Sequence, residues 1–320
     1  MKYRKRLHRR ELKRQRKIII MSLSMVLLCL SFGYAAFFTN INLNTKGNIK
    51  DLTAAHYLKT KATSSGNGLY KDTYQNNRYI YKGINPNNYL KLNNVLYRII
   101  ALEPDGTLKI IKNKTIGTFP FDTTNSRTLG YCSYGDATSY GCNAWAKTDN
   151  YQNHYSGIVE KDAYINTYLN NNYLTTLDKT YLSPHTYNIG PVTFAGSTLE
   201  NTLQAEKQIT WQGYIGLPNI SDFLNSNTNP SCNTINKLQE NYQTCIKTNY
   251  LNFSATTRLI NPNYSFTHCV YVLFPAGNLY PGVNANNPYD IYPVMYLKSN
   301  ITLSGNGTLE APYEPHIISN

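Results

Sequence analysis

Cys269 directly follows His268, and Arg258 lies in the same stretch. This is the one place in the chain where residue types suggest covalent chemistry. A thiol attacks as its thiolate, so it needs a base within hydrogen-bond reach or a nearby cation. Residues 269–274, CVYVLF, read as a strand, and adjacent strand residues point to opposite faces. His268 is therefore badly placed to activate Cys269. A buried strand cysteine is the expectation, and an exported cysteine-dependent enzyme using Cys269 is the alternative.

The other cysteines suggest bridges. Cys132 and Cys142 bracket SYGDATSYG, and Cys232 and Cys245 bracket NTINKLQENYQT. Local pairing, Cys132 with Cys142 and Cys232 with Cys245, is expected and leaves Cys269 single. Other pairings stay open if Cys269 takes part. A straight helix from 232 to 245 would hold the two Cα atoms about 20 Å apart, whereas a disulfide needs about 4.4–6.8 Å. A bonded pair thus excludes one continuous helix there. Metal chemistry finds little to use. There is no C-x-x-C, and His56, His154 and His185 stand alone. Asp122, Asp136, Asp149 and Asp162 are scattered through loops, and a calcium site would need several of them to converge. No phosphate-binding loop, dinucleotide fingerprint, nucleophile elbow or zinc-protease motif occurs. The expectation is a non-enzyme without cofactor or metal.

The N-terminus says where the chain works. Residues 1–17 carry ten basic side chains against Glu11 alone, and 18–38 hold no charge at all. As a helix, 18–38 reaches about 30 Å, the thickness of a bilayer core. The basic block stays in the cytoplasm and the rest is exported. The apolar run, which contains Cys29, reads either as a signal peptide cut after Gly33-Tyr34-Ala35 or as a retained anchor. Localisation follows: a single-pass membrane protein with its C-terminal domain outside, or a secreted or surface protein if cleaved. Exported disulfides persist.

Net charge is +13, but the basic tail supplies about nine of it. The remainder is nearly balanced, so no basic face for nucleic acid is expected, and the tail's natural partner is anionic lipid. Charged residues make up only 15% while tyrosines number 29, and asparagine is abundant. Such a chain is not disordered. Phenol rings and amides suit sugar contact, although an AT-rich genome would produce the same bias.

The elements follow from pattern. Residues 39–50 suggest a short strand and 59–68 a flexible linker, placing the start of the folded body near Leu69. The run Val95–Leu102, the turn EPDG at 103–106 and TLKIIK at 107–112 form a hairpin. Arg98 interrupts that run and is expected on a half-exposed face. Residues 113–160 read as loop with Trp145 packed. Residues 163–177 read as the best helix, with Ile165, Leu169, Tyr173 and Leu177 on one stripe and Asp162 as its cap. Ser221 caps a short helix at 221–224. Residues 291–297 form an edge or bulged strand because of Pro293, and 300–307 open a last hairpin.

Two regions resemble known groups. The stretch GYAAFFTNINLNTKGNI resembles signal or anchor segments of Gram-positive surface and matrix proteins processed by SipW-type signal peptidases. The phrases YIYKGINPNNYLKLNNVLYRIIAL, DGTLKIIK, AYINTYLNNNYLTTL, GLPNISDF and PVMYLKSNITLSGNGTLEAPY resemble an uncharacterised exported module of Firmicutes. Tyr97 stands where such modules often have Trp. Those modules are similar to the C-type-lectin-like and formylglycine-generating-enzyme-like group of folds. The resemblance implies an α+β, strand-rich, disulfide-stapled domain and supplies no catalytic residues. The organisation expected is a basic cytoplasmic tail at 1–17, a transmembrane or signal helix at 18–38, a strand and linker at 39–68, and an extracytoplasmic α+β domain at 69–320. The function expected is a non-catalytic surface module binding a glycan or protein, or alternatively a structural subunit of a surface fibre or matrix.

Overall fold

The turn at 103–106 forms as its residues dictate. Gly106 takes φ 87°, and Asp105 Oδ1 accepts from the Thr107 amide at 3.0 Å and hydroxyl at 2.7 Å. The flanking strands, Val95–Leu102 and Leu108–Lys112, pair antiparallel. They lie inside a sheet ordered Gly68–Lys71, Tyr79–Lys82, Val95–Leu102, Leu108–Lys112, Val294–Leu297, Ile215–Gly216. Two shorter strands join it, Tyr89–Leu92 on Val95–Leu102 and Leu182–Ser183 on Val294–Leu297. Residues 97–102 are buried without alternation, the pattern of a strand covered on both faces. A second sheet runs Leu279–Asn284, Cys269–Leu273, Thr257–Pro262, Tyr289–Asp290, Thr118–Phe119. Two two-stranded antiparallel sheets, Ile301–Ser304 with Glu314–Ile317 and His185–Asn188 with Thr210–Gly213, complete a strand-rich α+β fold.

The computed structural model describes residues 17, 52–123, 140–147, 161–194 and 197–318. The chain divides into two units, Met1–Asp51 and Leu52–Asn320. The apolar stretch 18–38, Cys29 and the strand expected at 39–50 lie outside the described residues. Among the described residues no helix is long and apolar enough to cross a membrane.

Several expectations change. The folded body starts at Leu52 and not near Leu69, because the Ala54–Lys59 helix buries Ala54 and Leu58 completely. The Thr63 amide then bonds Leu69 O at 2.7 Å, so 59–68 is tied to the first strand. Pro293 does not mark an edge. Val294–Leu297 has strands on both sides, and Pro293 precedes it, offering its carbonyl to the Lys112 amide at 3.0 Å. A proline just before a central strand costs no ladder donor.

The helix expected at 163–177 is broken into an α-helical turn Tyr164–Thr167, a π-helical turn Tyr168–Asn172 and a 3₁₀ turn Tyr173–Thr176. Asn170 gives a reason. Its Oδ1 accepts from Tyr214 N and Ile215 N, and its Nδ2 donates to Ile215 O, pinning the wide turn to the Ile215–Gly216 strand. Asp162 does not cap it. Its Oδ1 accepts from Lys147 N, while Asp122, from a distant loop, accepts the Tyr164 amide. The helix at Ile220–Asn225 is capped by Asn219 in a capping box with Asp222, and Ser221 lies inside it.

Arg98 is buried, at 7% exposure, and not half-exposed. Its guanidinium lies 3.8 Å from the Tyr89 ring centroid and 5.0 Å from that of Tyr250, and Nε donates to Asn88 Oδ1. Two rings and an amide replace the water that a half-exposed position would have given it.

Cys232 and Cys245 form a disulfide with Cα atoms 5.6 Å apart. The intervening chain breaks accordingly, into Pro230–Cys232, Ile235–Glu240 and Tyr242–Cys245. Cys142 is also disulfide-bonded, and Cys132 lies outside the described residues. Trp145 is fully buried against Phe121 and Trp211.

Candidate ligand-binding cleft

Three segments that are distant in sequence meet around tyrosine and asparagine side chains. Leu69 and Tyr81 face each other across the first strand pair. Tyr313 follows the last loop and lies beside the Tyr89–Leu92 strand, exchanging backbone bonds with Tyr89 and Lys91. Tyr57 comes from the Ala54–Lys59 helix and meets the Tyr313 ring edge-on at 6.2 Å. Burial pushes the Tyr81 hydroxyl well above its ordinary pKa, and Tyr313 reinforces this; burial also raises Tyr313. Both phenols therefore stay neutral and act as hydrogen-bonding groups.

The cleft between these segments has a volume of about 460 Å³. Four asparagines, Asn67, Asn85, Asn87 and Asn306, ring it from exposed loop positions. Lys61 is the single charged lining residue, with Nζ 5.3 Å over the Tyr57 ring, and no carboxylate lines the cleft. Two glycines permit the construction. Gly83, at φ 105°, lies so close to Asn67 Oδ1 that any Cβ would collide with it. Gly307, at φ 79°, lies equally close to Asn87 O and the Tyr313 ring. Asn67 Oδ1 accepts the Ile84 amide at 2.9 Å, which fixes one amide at the rim. Amides, phenols and ring edges, with Lys61 the one charge and no acid, match an uncharged, hydroxyl-rich ligand, since each amide can both donate and accept.

The residues singled out for chemistry lie elsewhere. Cys269 is free and buried, and burial pushes its thiol up to about 11, with Arg258 acting in the opposite direction. Its Sγ is 4.0 Å from Asn284 Oδ1. Arg258, wholly buried, donates Nη2 to Asn287 O at 2.6 Å and Asn284 O at 3.3 Å, and burial draws it down to about 9. The second sheet thus brings Arg258 and Cys269 together. His268 instead approaches the rings of Tyr140 and Phe266, and burial lowers its pKa.

Asp122 and Asp162 are occupied by backbone amides, as above. Asp136, Asp149 and His154 lie outside the described residues. Among the described residues no group of three or more His, Cys, Asp or Glu could hold a metal. His56 is exposed on its helix, and His185 lies in a different cleft. Tyr81, Asn85, Asn87, Asn306 and Tyr313 fall in the phrases 79–102 and 293–313, where asparagine, glycine and tyrosine cluster, whereas Tyr57, Lys61 and Asn67 come from the stretch before them, and no spacing rule singles any of them out. No protein-family model, curated protein or solved structure matches the chain.

Proposed function

We propose that this chain is a non-catalytic bacterial surface module that binds an uncharged glycan in the tyrosine–asparagine cleft. One observation carries the reading. A cleft of about 460 Å³ is lined by four exposed asparagines and three tyrosines and by no acid. The proposal includes a C-type-lectin-like arrangement of the Leu52–Asn320 unit, resting on the quoted phrases. It includes tethering or export through 18–38, resting on the basic and apolar runs. The Cys232–Cys245 bridge is consistent with an oxidising exterior. Chemistry at Cys269 is disfavoured, because a buried thiol with a raised pKa is a poor nucleophile.

The test is glycan-array and cell-wall binding by the full-length chain, alongside Asn85→Ala/Asn306→Ala. Both substitutions are at exposed positions. Binding to a neutral glycan that drops at least tenfold in the double variant supports the reading. Absence of binding to glycan and wall alike overturns it, as does binding indifferent to the double variant.

A further inference from the structure

A second cleft, of about 250 Å³, has the opposite character. Its walls are charged, and two cations, Arg78 and Lys109, are held in ion pairs with carboxylates. Arg78, 8% exposed, stands just before the Tyr79–Lys82 strand, and Tyr79 faces Leu102, so Arg78 meets Glu103. Arg78 Nε donates to Glu103 Oε2 at 2.9 Å and Nη1 to Asp72 Oδ2 at 3.0 Å. Its remaining nitrogen, Nη2, makes no hydrogen bond among the described residues, although the side chain lines the cleft. Lys109 donates to both Asp222 oxygens, at 2.7 and 2.8 Å, and to Asn219 Oδ1 at 3.3 Å. Tyr296 faces Lys109 across the strand pair, only 4% exposed, with the His185 ring stacked on it at 3.7 Å. Its hydroxyl likewise has no hydrogen bond among the described residues. Lys207 is exposed on the cleft's lining.

In the buried part of the cleft the charges balance: Arg78 is paired with Glu103 and Lys109 with Asp222, while Asp72 lies behind Arg78 outside the lining and Lys207 is exposed at the rim. A ligand with one net charge would leave an uncompensated charge in a poorly solvated site, and a neutral ligand would leave fixed charges facing weak dipoles. A ligand carrying both signs meets both walls. We propose that this cleft binds a small zwitterion of the α-amino-acid class. Its carboxylate is received by Arg78 Nη2 and the Tyr296 hydroxyl. Its ammonium is received by the outer lone pairs of Glu103 and Asp222. The volume lies below the roughly 300–1,000 Å³ of sites for larger ligands, which restricts the side chain to a small one. The inference is independent of glycan binding, because the two clefts share no lining residue.

Titration calorimetry of the full-length chain with alanine tests it, with N-acetylalanine lacking the ammonium, alaninamide lacking the carboxylate, and glucose as the neutral control. The expected result is alanine affinity at least tenfold above each of the three. Tyr296→Phe should weaken alanine several-fold, and Lys207→Glu, at an exposed position, should weaken it independently of any effect on folding. Asn306→Ala, in the other cleft, should leave it unchanged. No heat with alanine overturns the proposal, as does equal affinity for a single-charge analogue. Alanine binding insensitive to both Tyr296→Phe and Lys207→Glu overturns it too.

Discussion

Glu206 shows how burial turns an ordinary carboxyl into a pH-dependent stability element. It sits on the Leu199–Lys207 helix, wholly buried, accepting from Ser221 N at 2.9 Å and Ser221 Oγ at 2.5 Å. Burial pushes its pKa up to about 7, against the relief of the Ser221 bonds, with Asp222 raising and Lys109 lowering it. Unfolded, the group titrates near 4.5. Between those values the folded state holds the extra proton, so stability falls as pH rises from 4.5 to 7 and levels off above. The loss is on the order of 3 kcal/mol. Denaturant midpoints at about pH 5 and pH 8 should show this fall in the wild type, and Glu206→Gln should remove it. Arg98, stacked on Tyr89 and Tyr250, makes a second prediction. Arg98→Lys keeps the charge but loses the planar stack, and should cost about 1–2 kcal/mol in urea unfolding. Cys269 should stay unlabelled by a thiol reagent until the protein unfolds. Labelling in the native state would contradict its burial.

The Cys232–Cys245 bridge acts at the scale of the element. It closes a loop of short helical pieces, and its reduction should lower stability by roughly 2–3 kcal/mol on the chain-entropy account. Comparing unfolding midpoints of the wild type with Cys232→Ser/Cys245→Ser checks this. The hairpin at 95–112 was legible because turn chemistry and apolar runs agree there. The helix at 163–177 was legible as a stripe but not as a shape. Its width was set by Asn170 reaching the backbone of Tyr214 and Ile215, a partner no local pattern reveals. The misassigned cap has the same cause, since Asp122 is 42 residues from the amide it receives.

For the whole molecule, the two clefts differ in what their walls select. One offers amides and phenols without acids, the other balanced ion pairs. If the basic tail stays inside while the rest is exported, protease added to intact cells should digest the Leu52–Asn320 unit. Its survival would contradict export. The fibre alternative predicts mass growing with concentration in sedimentation, whereas the binding-module reading expects one species throughout.

The sequence alone determined local matters: a basic tail and an apolar run of membrane length, the 95–112 hairpin, and a chain break between Cys232 and Cys245 once they are bonded. These depend on neighbours within a few residues, or on rise per residue. Tertiary structure decided which distant side chains share a space. Arg98, expected on a half-exposed face, is buried between two rings, and Lys109 is buried against Asp222, 113 residues away in the chain. A charge inside the protein needs partners, and only the fold supplies those from residues far away in the chain.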